Sequence, residues 1–308
     1  MILSICPNPS IDCTIELANL NVGKLNRIDS KVETYSGKAL NVAIGVARLG
    51  SQSIATGFMF ENHKQMFEQK LQAEGVEHNF VYNKGDTRVN YKIIDKKSML
   101  TQINDRGEEV SAEKQLELIN RVAEIAKNVK VAVMSGSLPK GVNADYYGRV
   151  ISAIHKDVMV IIDTERENML SALSAREVYM VKPNLDELES FIGESIRTKA
   201  EILKASYKLL DMGAKYVMAS MGADGAIFTN GTQSYYCKSA SVAVNSTVGA
   251  GDSMVAASCT GFVENVDMEE LLRRAVSAGT AAVTTSGTNL FYKDKYQEIY
   301  KKVNVVKI

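Results

Sequence analysis

The sequence predicts an α/β protein: a mostly parallel sheet covered by helices on both faces, with a small β lid. Three observations lead there. Short apolar runs alternate with amphipathic helical patterns along most of the chain, as repeated strand–helix units do. The runs at 158–162 and 178–181 are continuously apolar, which suits strands buried on both faces. Two stretches alternate at period two instead, with no crossover helix behind them, and read as antiparallel hairpins outside the main sheet.

Residues 2–6 (ILSIC) open the sheet. Residues 12–18 and 27–34 form the first lid hairpin. A helix at 38–49, a strand at 52–58, a helix at 62–74 and a strand at 79–82 follow. The second hairpin joins 88–95 to 98–103, so the lid is inserted at about 12–35 and 86–104. The alternation resumes with helix 111–127, strand 130–135 (KVAVMS), helix 143–155 and strands 158–163 and 178–181. Helices 184–192 and 197–212 precede a strand at 215–220, and helices at 252–262, 267–282 and 293–302 close the chain. No repeat, low-complexity tract or Pro/Ser linker marks a second domain. The 308 residues suit one α/β core.

Composition excludes several functions. Thirty-six basic and 36 acidic residues leave a formal charge of zero, so no global field concentrates a nucleic acid. No apolar run approaches the roughly 20 residues of a membrane span, and the start MILSICPNPSID lacks a basic n-region. Cys6, Cys13, Cys237 and Cys259 form no CxxC pair, so a reducing cytoplasm is expected. Three histidines, none in a metal or triad spacing, give little material for a zinc site or a Ser-His pair.

The strongest chemical signal is Asn245-Ser246-Thr247-Val248-Gly249-Ala250-Gly251-Asp252-Ser253-Met254. Two glycines precede a helix whose unpaired N–H groups make a cradle for phosphate oxygens. Asp252 would repel a bound anion, which makes sense if it must take a proton from an attacking hydroxyl. An N-capping Asp after a Gly turn is the alternative.

This segment joins Gly136-Ser137-Leu138-Pro139, Lys182-Pro183-Asn184-Leu185-Asp186-Glu187-Leu188 and Asn8-Pro9-Ser10-Ile11-Asp12. Together, and in their order along the chain, they resemble the motifs of the ribokinase-like (PfkB) carbohydrate kinases, within them the 1-phosphofructokinase and tagatose-6-phosphate kinase branch. The resemblance runs from Met1 to about Ile308. It implies a ribokinase-like three-layer α/β/α sandwich with a mostly parallel central sheet and a β lid, using ATP and Mg²⁺.

Residue by residue, the resemblance makes Asp252 the catalytic base and Gly249, Ala250 and Gly251 the anion hole. Asn184 and Glu187 match its Asn-x-x-Glu, which helps hold the metal–phosphate assembly; a helix cap with a capping box is the other reading, and both can hold. Lys182, Ser220, Gly222, Gly225 and Thr247 are implied to contact nucleotide, though Gly222 and Gly225 also suit a hairpin turn into Ala226–Thr229. On the acceptor side, Asp12 would hold sugar hydroxyls, with Gly37, Lys38, Asn41 and Ser137 around the sugar. Lys24 and Arg88, on the two halves of the lid, would grip a distal phosphate, or be edge-strand charges. Ser36-Gly37-Lys38-Ala39-Leu40-Asn41 matches Gly-Gly-Lys-Gly-x-Asn in part only, and Ser36 is strained if its position needs φ > 0. Tyr146-Tyr147 and Tyr235-Tyr236 are expected to be partly buried on a helix and a strand.

These residues lead to the expectation of a kinase for a ketohexose monophosphate, foremost fructose 1-phosphate to fructose 1,6-bisphosphate. The alternatives are a tagatose-6-phosphate kinase, a minor 6-phosphofructokinase, and a catalytically weak sugar-phosphate sensor. No nucleic-acid or membrane partner is expected. The lid's edge strands invite a second lid, so a homodimer through the lid is expected.

Overall fold

The computed structural model describes residues 1–96, 99–285 and 290–308. In chain order its first elements are β1 (Ile2–Cys6), β2 (Ser10–Leu17), β3 (Ser30–Ser36), α1 (Lys38–Arg48), β4 (Ser53–Phe60), α2 (Lys64–Ala73), β5 (Glu77–His78) and β6 (Val81–Asn83). Next come β7 (Val89–Asp95), β8 (Leu100–Asn104), α3 (Ala112–Ala126), β9 (Val131–Ser135), α4 (Asp145–Ser152), β10 (Met159–Asp163), α5 (Arg166–Ala175) and β11 (Val178–Val181). The rest are α6 (Leu185–Ile192), α7 (Lys199–Asp211), β12 (Ala214–Ser220), β13 (Ala226–Thr229), β14 (Ser234–Cys237), α8 (Ala250–Glu264), α9 (Met268–Ala282), α10 (Lys293–Tyr300) and β15 (Val305–Lys307).

Eleven strands make the main sheet, in the order β15-β14-β13-β12-β11-β10-β9-β1-β4-β5, with β6 also paired to β4. Pairing is parallel from β12 to β5 and antiparallel from β12 to β15. The continuous apolar runs have their reason here. Val131, Val133, Ile161 and Met180 enter one core, with α1, α8 and α9. Ala132, Met134, Val160, Ile162 and Val181 enter the other, with α3 to α7. Alternate residues of a strand point to opposite faces, and here both faces are covered.

The lid is a separate four-stranded sheet, β3-β2-β7-β8. Both hairpins are antiparallel, and they join through a parallel β2–β7 pair. One face is apolar, with Cys13, Ile15 and Leu17 packed against Leu20, Val89 and Ile93. Ser10, Asp12, Asn90 and Lys92, at the alternate positions, lie on the other.

Several expectations are corrected. The strand at 79–82 is two short strands, β5 and β6. Helix α5 and strand β15 were not foreseen; α5 carries only a weak apolar stripe, and β15 is three residues long. Ser98, expected in the second hairpin, lies outside the described residues. Tyr146 and Tyr147 are wholly buried; their hydroxyls donate to Gln115 O at 2.9 Å and Gly136 O at 2.6 Å, which satisfies the polar end of each ring. Among the described residues no helix is long and apolar enough to cross a membrane.

Candidate active site

The carboxyl ends of parallel strands converge on one region, where open α/β sheets place ligands. Ser135 ends β9, Asp163 ends β10, Lys182 follows β11 and Ser220 ends β12. Facing them is the start of α8. Its N-cap Gly249 has φ 82°, a left-handed conformation that suits glycine. The first bond into α8 runs from Ser253 N to Gly249 O at 2.9 Å, so the amides of Ala250, Gly251 and Asp252 have no helical partner. A Cβ on Gly251 would stand 3.2 Å from Lys182 Nζ. The ammonium thus lies against the same cradle and adds full charge to the helix's partial charge.

Asp252 is buried in the first turn of α8 and accepts a 2.8 Å hydrogen bond from Asn41 Nδ2 to Oδ2. Burial pushes its pKa up to about 6, opposed by the charge of Lys38 and assisted by that of Asp163. A carboxylate with such proton affinity is a competent base near neutral pH. No side-chain cap closes α8, so the capping alternative for Asp252 fails.

The sequence reading passed over Asp163. Its carboxylate is almost wholly buried between two lysines: Oδ1 is 3.2 Å from Lys182 Nζ, and Oδ2 is 3.8 Å from Lys38 Nζ. Burial raises its pKa, but the two ammonium groups prevail and hold it below the usual carboxylate range. Asp163 in turn raises the pKa of Lys38. The signal was a lone acid ending a buried apolar strand, VIID; buried charges of that kind are paired.

Asn184 and Glu187 form a reciprocal capping box on α6: Glu187 N donates to Asn184 Oδ1 at 2.8 Å, and Asn184 N donates to Glu187 Oε2 at 2.9 Å. The structural alternative is therefore realised, and it leaves Glu187 a second carboxylate oxygen.

Beside the cradle lies a cavity of about 560 Å³, lined by Ser220, Gly222, Gly225 and Thr247 together with Val242 and Gly279, among others. All four expected nucleotide residues of this region meet here, although the glycines differ. A Cβ on Gly225 would fall 1.9 Å from Cys237 O, so that glycine answers to the adjoining strand; Gly222 has nothing within 4 Å. The apolar wall contributed by α9 was not legible, because its residues look like ordinary core.

Around the acceptor side, Ser36 is buried and not at positive φ. It donates to Asn41 Oδ1 at 3.4 Å, so its departure from glycine is accommodated. Gly37 must be small, since a Cβ there would stand 2.8 Å from Cys6 Sγ. Ser137 Oγ accepts from Asn8 Nδ2 at 3.4 Å. Asp12 is met by Lys92 and Asn90, neither of which the sequence reading selected.

Arg88 and Lys24 lie on the two lid segments, as expected. Arg88 precedes β7, and its guanidinium donates to Asn8 O at 3.0 Å, Asp105 O at 3.1 Å and Pro9 O at 3.3 Å. It ties the opening loop to the end of β8. Lys24 sits on the exposed connection beyond Leu17. Arg88 O accepts from Ile11 N, so Arg88 lies at one end of β2, and the connection that carries Lys24 begins at the other, roughly 20 Å of strand away.

A buried acid of raised proton affinity, an adjoining anion cradle and a nucleotide-sized cavity define a class of protein: a phosphotransferase acting on a hydroxyl. The comparisons specify it further. Residues 7–295 match the model of the pfkB family carbohydrate kinases, and the chain belongs to that family. It is 30% identical over 311 residues to a tagatose-6-phosphate kinase of Staphylococcus epidermidis, covering 100% of both chains. It is 29% identical over 306 residues to a 1-phosphofructokinase of Vibrio cholerae, covering 99% of this chain and 96% of that one. The crystal structure of phosphofructokinase-2 from Escherichia coli in complex with potassium superposes with a TM-score of 0.90 at 29% identity, covering 98% of each chain.

Proposed function

We propose that the protein phosphorylates a ketohexose monophosphate with ATP, and that fructose 1-phosphate, yielding fructose 1,6-bisphosphate, is its preferred acceptor. The observation that carries the reading is Asp252, buried with a pKa near 6 at the foot of the α8 cradle. The free primary hydroxyl attacks the γ-phosphorus of ATP, the bond from that phosphorus to the bridging oxygen breaks to release ADP, and the hydroxyl proton passes to Asp252. The amides of Gly249, Ala250 and Gly251, with Lys182, receive the charge on the transferring oxygens. Asn41 fixes the carboxylate, and the lid shields the site from water.

Magnesium fits the residues present. The ion-pair geometry leaves the buried Asp163 Oδ1 without a hydrogen bond, and Glu187 has one oxygen beyond its cap. Oxygen donors of this kind suit a hard cation that keeps waters and arrives with phosphates. Among the described residues no group of three or more His, Cys, Asp or Glu forms a cage. Bound there, the cation would neutralise phosphate charge.

The tagatose 6-phosphate reading is favoured by the 30% identity to that kinase. A coupled assay with fructose 1-phosphate, fructose 6-phosphate, tagatose 6-phosphate and fructose decides between them. Fastest turnover is expected on fructose 1-phosphate; no turnover on any monophosphate sinks the sugar-phosphate reading. Ser36 and Ala39, the departures from the family's glycines that would favour a sensor, fit the fold without strain: Ser36 is not at positive φ, and Ala39 is buried in α1.

We also propose a homodimer through the lid, in the cytoplasm. Val22, Leu25, Val32, Leu100 and Ile103 of the lid are exposed apolar residues, more than a small surface sheet needs. Light scattering of wild type and Ile103→Lys should read dimer and monomer; a monomeric wild type sinks the idea.

A further inference from the structure

Asp12 is gripped from two strands. Ser10 Oγ and Asn90 Nδ2 each donate to its Oδ1 at 3.2 Å, and Lys92 Nζ donates to Oδ2 at 3.2 Å. The Lys92 and Asp12 side chains are only 12% and 9% exposed. A buried ion pair is a poor device for stability alone, because desolvation offsets its attraction. The lid already has an apolar layer on its other face, around Cys13, Ile15 and Leu17.

Position explains what the pair is for. Ser10 and Ser36 are register partners on β2 and β3. Ser36 Oγ donates to Asn41, and Asn41 donates to Asp252. The polar face of the lid is thus continuous with the base. Beside Asp12, the buried Asn90 Oδ1 has no hydrogen-bond partner, an acceptor left for a donor from outside the chain.

We propose that Lys92 is a positioning residue for the acceptor. It fixes the Asp12 carboxylate and balances its charge, so that Asp12 and Asn90 accept sugar hydroxyls without repelling an anionic substrate. The proposal rests on the sugar-phosphate reading above for the anionic acceptor, and not for the hydroxyls.

The test compares wild type, Lys92→Met and Lys92→Arg on whichever of fructose 1-phosphate, fructose 6-phosphate, tagatose 6-phosphate and fructose the wild type phosphorylates fastest. Losing a charge-assisted hydrogen bond of this kind should raise the acceptor KM about 10–150-fold in Lys92→Met. The KM for ATP should stay within about twofold, and Lys92→Arg should recover most of the loss. Lys92→Met combined with Asp12→Asn should be less than additive, because the two groups act as one. An unchanged acceptor KM, or equal rises for acceptor and ATP, overturns the proposal. So does a Lys92→Met or Lys92→Gln protein that fails to fold while Lys92→Arg folds, since that marks a purely structural ion pair. If the wild type prefers fructose itself, the sugar-phosphate reading fails, and the role of Lys92 is still read from the variant's KM for fructose.

Discussion

Replacing Asp252 by Asn should slow catalysis by orders of magnitude and, above pH 6, make the protein more stable. Unfolded, the carboxyl titrates near 3.8; folded, burial moves it to about 6. Between those values the folded chain binds more protons than the unfolded one, so stability falls as pH rises through the window. Above it the penalty is complete. At 1.36 kcal/mol per tenfold change in proton affinity it amounts to about 3 kcal/mol. The amide has the same shape, can still accept from Asn41 Nδ2 and never ionises. Its advantage should therefore be full near pH 7.5, shrink through pH 6–4 and vanish below about 3.8. Urea unfolding of both proteins at pH 4.5 and 7.5 reads the difference. Turnover should fall by about 10²–10⁴-fold, as loss of a general base requires, and wild-type kcat/KM should rise with pH through about 6. Parallel stability curves at both pH values would refute the buried-acid argument. Turnover within a few-fold of wild type would remove Asp252 from its role.

Glu187→Gln should raise the Mg²⁺ concentration needed for half-maximal rate more than it changes acceptor KM; a lowered melting temperature with an unchanged Mg²⁺ titration would leave only the cap. Arg88→Ala strips donors from three backbone carbonyls and should cost about 2 kcal/mol or more, seen as a lower unfolding midpoint; an unchanged midpoint with only a higher sugar-phosphate KM would restore the direct phosphate contact. Gly225→Ala should destabilise the fold severely, because its Cβ would stand 1.9 Å from Cys237 O. Gly222→Ala should fold with a penalty of about 1 kcal/mol for its positive φ and show its effect in the ATP KM; the reverse ranking in a thermal melt would contradict the cavity geometry.

The parallel half of the sheet was legible because burial on both faces leaves no polar alternation, and the lid because exposure on one face restores it. The cradle was legible from Gly249 and Gly251, whose backbone demands are local. What escaped depended on register and depth. Lys24 and Arg88 sit on the two lid segments as read, yet only the parallel β2–β7 pairing sets which end of β2 each one meets, and period two carries no information about that. Lys92 belongs to no motif of the sequence, and its burial against Asp12 is a product of the β2–β7 pairing. Asp163 belongs to no local motif, and its partners Lys38 and Lys182 lie on separate elements. Val242 and Gly279 line the cavity beside the cradle through tertiary packing alone.

The Asn41–Asp252 hydrogen bond spans 211 positions of sequence, and that distance orders events at the ribosome. At about 5–20 residues per second, roughly 10–40 s separate the synthesis of its two ends. The lid and the Asp163 lysine pair are all translated before the helix that carries Asp252. A nascent chain can therefore assemble the lid and that ion pair before Asp252 joins them. Asp252, whose burial penalises folding, is inserted late, when α1 and the central strands are already available to receive it.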